Sequence, residues 1–496
     1  MPRLIKLLLI AFISIWGITE SLGNNLQITN LQVIPYHKLS FNISWENSWN
    51  LDSINKPDNH DAVWIFLKYH DNSGWHHLEL SPNAADHQSD SLTVETVTDG
   101  KGVFLKRKSK GGGNIISTNV TLNWTTTALL GTYDFKVFGI EMVWVPQGSF
   151  YIGDGASYNT LTRGDKMVPY KIGSESEIKI GEDSLSLLDT GANAPAANIP
   201  AVFPKGYNGF YCMKYEITQE QYVDFLNCLS FQQQASHVTI PPDAAPGSFA
   251  FGASMLNRNG IVIETSGKAG FLPAVFACNA SNNSVYNDAI DGQNRACNFL
   301  NWNDLGAYLQ WVALRPMTEL EFEKICRGPN KPVKQEFAWG TALFLDANTL
   351  LNDGTDQEHV KENPGGDTGL ASYGYAGPQG PLRAGFAANG TSTRLKAGAS
   401  YYGAMEMSGD LWELCIVLSK TGLNYSGITG SGDLPDSGYA NMPGWPGNDA
   451  IGAGQRGGGW NSGISGQFRD LAVSDRFYIT LIPTQRRNTT GGRGVR

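Results

Sequence analysis

Charge is scarce in this 496-residue chain: Asp, Glu, Lys and Arg make up 17% of it, against about 25% in an average soluble domain. The net balance is −9, the wrong sign for a protein that tracks phosphates, which argues against nucleic acid as a partner. No stretch reaches the ~18 continuous apolar residues of a membrane-spanning helix, so no transmembrane anchor is expected. Cysteine is sparse and stops early. Cys212, Cys228, Cys278, Cys297, Cys326 and Cys415 include no C-x-x-C pair, which counts against a zinc ribbon or a dithiol redox motif, and none follows Cys415. Beyond residue 141 only two histidines occur, His237 and His359.

Apolar residues, at 41%, are ample for packed cores. Glycine is abundant, 57 residues where about 7% of a chain is usual. With 13 tryptophans, the composition suits a loop-rich exported protein. Arg3 and Lys6 precede an apolar run from Leu7 to Ile18, broken only by Ser14 and Gly17, and Ser21-Leu22-Gly23 offers small residues at −3 and −1 of a cleavage site. Residues 1–23 therefore read as a signal peptide, which predicts a periplasmic, cell-surface or extracellular protein. In such a chain an even cysteine count permits disulfides, while a domain of this size can equally keep buried thiols.

Two folded regions follow, and the fold class expected is α+β. Residues 24–140 read as an immunoglobulin-like β-sandwich. Leu39, Phe41, Ile43 and Trp45 alternate with polar residues, and Val63–Leu67 is continuous, as a central strand would be. Short runs at residues 92–94, 103–105, 120–122 and 133–137 complete the pattern. The basic stretch Lys101–Gly113 reads as an exposed hairpin, with a polyanion contact as the alternative. His76 and His77 would point to opposite faces of a strand and cannot chelate one ion, so both are expected at the surface. In residues 141–496, capping boxes at Thr218 and Thr318 and a cap at Asn301 mark three helices, the last ending at Arg327-Gly328. Beyond residue 330, Gly, Asn, Asp and Pro dominate.

A set of motifs runs through the second region in order. Met142-Val143-Trp144-Val145-Pro146-Gln147-Gly148-Ser149-Phe150 opens it, and Tyr215-Glu216-Ile217-Thr218 precedes a helix bearing Gln221-Tyr222. Leu314-Arg315-Pro316-Met317-Thr318-Glu319-Leu320-Glu321-Phe322-Glu323 and Phe337-Ala338-Trp339-Gly340 follow. Then come Met407-Ser408-Gly409-Asp410-Leu411-Trp412-Glu413, Arg456-Gly457-Gly458-Gly459-Trp460 and the closing Arg493-Gly494-Val495-Arg496. This order resembles the formylglycine-generating enzyme (sulfatase-modifying factor) family, whose domain is an elaborated C-type-lectin-like fold. The preceding sandwich resembles a module of exported bacterial members.

The resemblance implies a catalytic cysteine pair, five residues apart, that holds copper(I) and engages a substrate cysteine. Ser462 and Gln467 stand at those positions, and Gly459 replaces the motif's serine. Neither a hydroxyl nor an amide is a soft ligand, so copper is not expected. A second branch of the superfamily holds iron with three histidines, two of them from an H-x-x-x-H-x-E helix; no histidine pair here has that spacing, so iron is not expected either. The family's structural calcium implies Glu413 as a ligand and, after Trp339-Gly340, Asn348. For Glu413, pairing with an arginine or capping a turn is the alternative.

Other conspicuous residues have plainer expectations. Glu319 and Glu321 suit capping and the helix dipole. Arg469, Asp470, Asp475 and Arg476 either brace the fold or line a cleft, and Trp339, Trp412 and Trp460 suit a core better than a binding platform. The function expected is a non-catalytic exported binding or assembly protein. Its ligand, protein or glycan, would lie at the former cleft around Trp460, Asn461, Ser462, Gln467 and Arg469, and self-assembly could run through the sandwich. The alternative is a metal-dependent oxidoreductase with an unrecognised substrate.

Overall fold

A computed structural model describes residues 25–35, 37–52, 57–125, 133–189, 197–374, 376–463 and 468–496. The expected leader at residues 1–23 and Gln467 lie outside them.

The first strands are β1 (Gln27–Ile34), β2 (Lys38–Asn50), β3 (Asp61–Asp71), β4 (Gly74–Leu78), β5 (Gln88–Ser89), β6 (Leu92–Thr96), β7 (Val103–Arg107), β8 (Gly111–Asn123) and β9 (Asp134–Val145). One sheet has the order β1-β2-β8-β5. The alternation in β2 turns Leu39, Phe41, Ile43 and Trp45 inward, where they meet Val63, Ile65 and Leu67 of β3 in one core. The other face of β3 is covered too: Ala62, Trp64 and Phe66 belong to a core shared with the helices of the C-terminal region. Coverage on both faces is the physical reason that the run is continuously apolar.

No linker separates the two regions. β9 crosses residue 140 and pairs with β3 along residues 134–143, then with β10 (Phe210–Met213) along residues 142–145. Adding β11 (Arg315–Pro316) and β15 (Gly494–Val495), an eight-stranded sheet runs β11-β15-β10-β9-β3-β7-β6, with β4 on β3. A second, three-stranded sheet has the order β13-β12-β14, from β12 (Trp412–Ile416), β13 (Ala453–Arg456) and β14 (Thr490–Gly491). The molecule is therefore layered as sheet, sheet and helices.

Polar ties cross the layers. Trp64 Nε1 donates to Val312 O at 2.9 Å, and the buried Lys68 Nζ donates to Trp311 O at 2.9 Å and to Gly432 O while lying 5.0 Å from the Trp311 ring. The burial of His77 corrects the surface expectation, because its strand face is covered by the C-terminal region. It is 6% exposed, stacks on Phe66 and donates from Nε2 to Lys101 O at 2.7 Å, and burial holds its pKa well below the usual range. His76, on the opposite face, is half-exposed beside Asp71. The basic hairpin is largely tied to its own sandwich: Lys106 pairs with Glu95 at 2.5 Å and Lys110 donates to Asn50 and Leu51 at 2.8 Å.

The expected helices are α1 (Gln219–Leu226), α3 (Trp302–Trp311) and α4 (Glu319–Arg327), each opened by a reciprocal capping box. α4 stops at Gly328, whose φ of 62° suits a residue without a Cβ. A short α2 (Phe231–His237) has no counterpart in the sequence reading. All six cysteines are buried free thiols, which decides between the two readings of their even count.

Candidate functional site

β13 leads into the Arg-Gly-Gly-Gly-Trp turn. Gly457 and Gly458 take φ of 94° and 76°, folding the chain back so that Trp460 N donates to Asp410 O at 2.7 Å. Trp460 is 3% exposed and its indole donates to Asn488 O, so it anchors the turn and offers no platform. Trp339 and Trp412 are buried as well. Ser462 is also buried, and its Oγ accepts from Gly459 N at 3.0 Å. Gly463, at φ 84°, lies so close to the Tyr373 hydroxyl that a Cβ would overlap it. Asn461 is half-buried. The half-exposed Arg469 reaches Asp470 at 3.5 Å and lies 4.0 Å from the Phe477 ring centre. Burial raises Asp470 above the usual carboxylate range and pushes Asp475 up to about 7.

Behind this corner α4 is clamped by two arginines of the C-terminal segment. Glu319 accepts from Arg476 at 2.7 Å and Arg456 at 3.1 Å, and Glu323 accepts from Arg456 at 2.9 Å, Arg327 at 2.8 Å and Ser474 at 3.0 Å. All of these side chains are buried. Only Glu321 closes the capping box, while also binding Arg315 through both oxygens. Glu319 stands in the first turn of α4 as expected for the helix dipole, but it does not cap; α4 is buried on every side, so its acids also need counter-charges. Arg476 braces the fold from within, whereas Arg469 does so only at the partly exposed rim.

Glu413 is placed differently from a free calcium ligand. It is fully buried, and Oε1 accepts from Arg493 Nε at 2.7 Å. The same guanidinium donates to Met213 O, Lys214 O and Met405 O at 3.2, 3.1 and 2.7 Å. Arg493 thus fills an oxygen cage of one carboxylate and three carbonyls. Around it stand three more buried acids, Glu216, Glu406 and Asp410, and like Glu413 each keeps one carboxyl oxygen without a partner. The Asp410 carboxyl repels a charge on Glu216, so the two acids lose their protons as a pair. Burial and mutual repulsion raise Glu216 far above its usual range and Glu406 to about 8; burial pushes Asp410 to about 6. Glu406 and Asp410 hold φ of 57° and 60°, a left-handed backbone that non-glycine residues adopt at a cost. Among the described residues no group of three or more His, Cys, Asp or Glu side chains is arranged to hold a metal ion. The cation these acids surround is the Arg493 guanidinium. Asn348 lies apart, exposed, next to Thr349, whose N–H is capped by Glu362 at 3.0 Å.

The model of the sulfatase-modifying factor enzyme 1-like domain matches residues 136–462. The chain belongs to that family. No curated protein matches it closely enough to count as a relative. The family match begins inside β9, the strand common to both regions, and ends at Ser462, the first of the two positions where a cysteine would stand. Among the described residues no helix is long and apolar enough to cross a membrane. Sequence reasoning quoted Glu216 and Asp410 within family motifs but did not join them to Glu413; Arg493 sits in the closing motif and gave no sign of its partner.

Proposed function

We propose that this family member is a non-catalytic binding or assembly protein, exported to the cell envelope or the extracellular space, and that its ligand is a protein or a glycan. The observation that carries the reading is Ser462. Its hydroxyl is buried and accepts from Gly459 N where the oxidase chemistry requires a thiolate. The chain's six thiols are buried at other points of the fold, and burial raises the pKa of each, so none is a ready ligand for copper(I). Among the described members of the expected cleft, Asn461 and Arg469 are the partly exposed polar residues.

Thiol titration together with a copper(I) competition tests the reading. The native protein is expected to leave all six thiols unreactive toward an aromatic disulfide reagent and to take no stoichiometric copper(I) from a chromophoric chelator. Two fast-reacting thiols with one tightly held copper would overturn it.

A further inference from the structure

Only part of β9 has two neighbours. β10 covers residues 142–145, after which the chain leaves the sheet: Lys214 N donates to Glu141 O at 2.8 Å and the backbone then turns toward α1. Alternation along a strand aims the N–H and C=O groups of Val137 and Gly139 at the same edge as those of Glu141. β3 occupies the opposite edge, and among the described residues no backbone group bonds to Val137 or Gly139 on the open one.

The edge does not lie bare on a flat surface. Two adjoining cavities of 260 and 340 Å³ run along it from Glu141 to Phe135. One wall is β1, itself an edge strand, and the other is α1. Phe138, Tyr308 and Trp311 supply an apolar floor. On α1, Glu220 and Asp224 are one turn apart and line the opening; among the described residues neither side chain makes a hydrogen bond or ion pair, and Lys136, lining the same opening, is the opposing charge that acts on Asp224. Burial, then the neighbouring Glu220, push Asp224 up to about 7. The cavity is also lined by Glu141, which is 4% exposed and whose Oε1 has no partner. An unpaired strand edge, apolar side pockets and rim acids, Glu220 and Asp224, that outnumber the one neighbouring cation, Lys136, are the complement of an extended chain carrying positive charge.

We propose that this edge receives an extended, lysine- or arginine-bearing segment of a partner protein, which pairs with Val137 and Gly139 and sets a cationic side chain against Glu220 and Asp224. The site is distinct from the former cleft and does not depend on whether that cleft is catalytic. Its partner adds a short strand in line with β10, so that main-chain hydrogen bonds supply affinity and the acids on α1 supply the preference for charge.

Hydrogen-exchange mass spectrometry on the full chain tests this with an acetylated heptapeptide of alternating valine and lysine, and with its valine–glutamate counterpart. The lysine peptide is expected to slow exchange in the segment covering residues 134–141, and the glutamate peptide is not. In the double variant Glu220→Gln, Asp224→Asn, both changes being at the helix rim, binding should weaken by about tenfold or more, the ratio of one charge-assisted hydrogen bond. Three results overturn the proposal: exchange in that segment already slow in the protein alone, which means the chain covers its own edge; no slowing with the lysine peptide; or equal slowing with both.

Discussion

Without the Arg493 guanidinium, Glu413 becomes a buried carboxylate with no counter-charge, and the carbonyls of Met213, Lys214 and Met405 lose a donor. Arg493→Met is therefore expected to lower stability by about 3–5 kcal/mol, read as a fall in the urea midpoint at unchanged slope. A loss below about 1 kcal/mol would place the arginine's cage outside the stabilising interactions. The acids beside it set a pH dependence. Asp410 and Glu406 sit above the ordinary carboxyl range, so the folded chain holds protons that the unfolded chain releases. The stabilisation they lend is complete below about pH 4 and is lost as pH rises through about 6 for Asp410 and about 8 for Glu406. Melting temperature should fall across pH 5 to 8, and Glu406→Gln should flatten that slope; a slope unchanged in the variant would contradict the assignment. At this scale the sequence was legible in kind but not in pairing. Glu413 stood out from its motif, and its arginine partner was one of two alternatives. Arg493 lies 80 residues away, and no local pattern encodes a contact made by folding.

α4 shows what elements add. Its capping box and the glycine after it are local signals, and both are found in the structure, because a cap involves neighbours in the chain. What holds the helix in place is not local: Glu319 and Glu323 bind arginines more than 130 positions onward. Arg456→Ala should cost about 3–5 kcal/mol by leaving two buried carboxylates short of charge, whereas Glu321→Ala removes a cap and the Arg315 pair on the other side of the helix. A denaturation series in which Arg456→Ala is no worse than a surface substitution would refute the clamp. α2 escaped the sequence reading because its residues, Phe231-Gln232-Gln233-Gln234-Ala235-Ser236-His237, carry little apolar periodicity. His77 was misplaced for a related reason. Alternation told which face of the strand it was on, but not that a second region covers that face.

For the whole molecule, the shared sheet is the organising fact. β3 and β9 serve the sandwich core on one face and the helical core on the other, and Trp64 and Lys68 bond into α3 and its end. The two regions should melt as one cooperative unit, giving a single calorimetric transition; two well-separated transitions would contradict the layered packing. The sequence shows both regions by composition and motif. It hides their fusion, since a strand that passes from one core to the next reads as a boundary when only its apolar pattern is seen. Assembly of the family fold around Ser462 instead of a thiol is the feature on which the functional reading turns. The most direct test is turnover: the purified full-length protein, supplied with copper(I), oxygen and a cysteine-containing sulfatase-type peptide, followed by mass spectrometry for conversion of the cysteine to an aldehyde. The account predicts no conversion above the protein-free control; aldehyde formation that scales with protein concentration would contradict it.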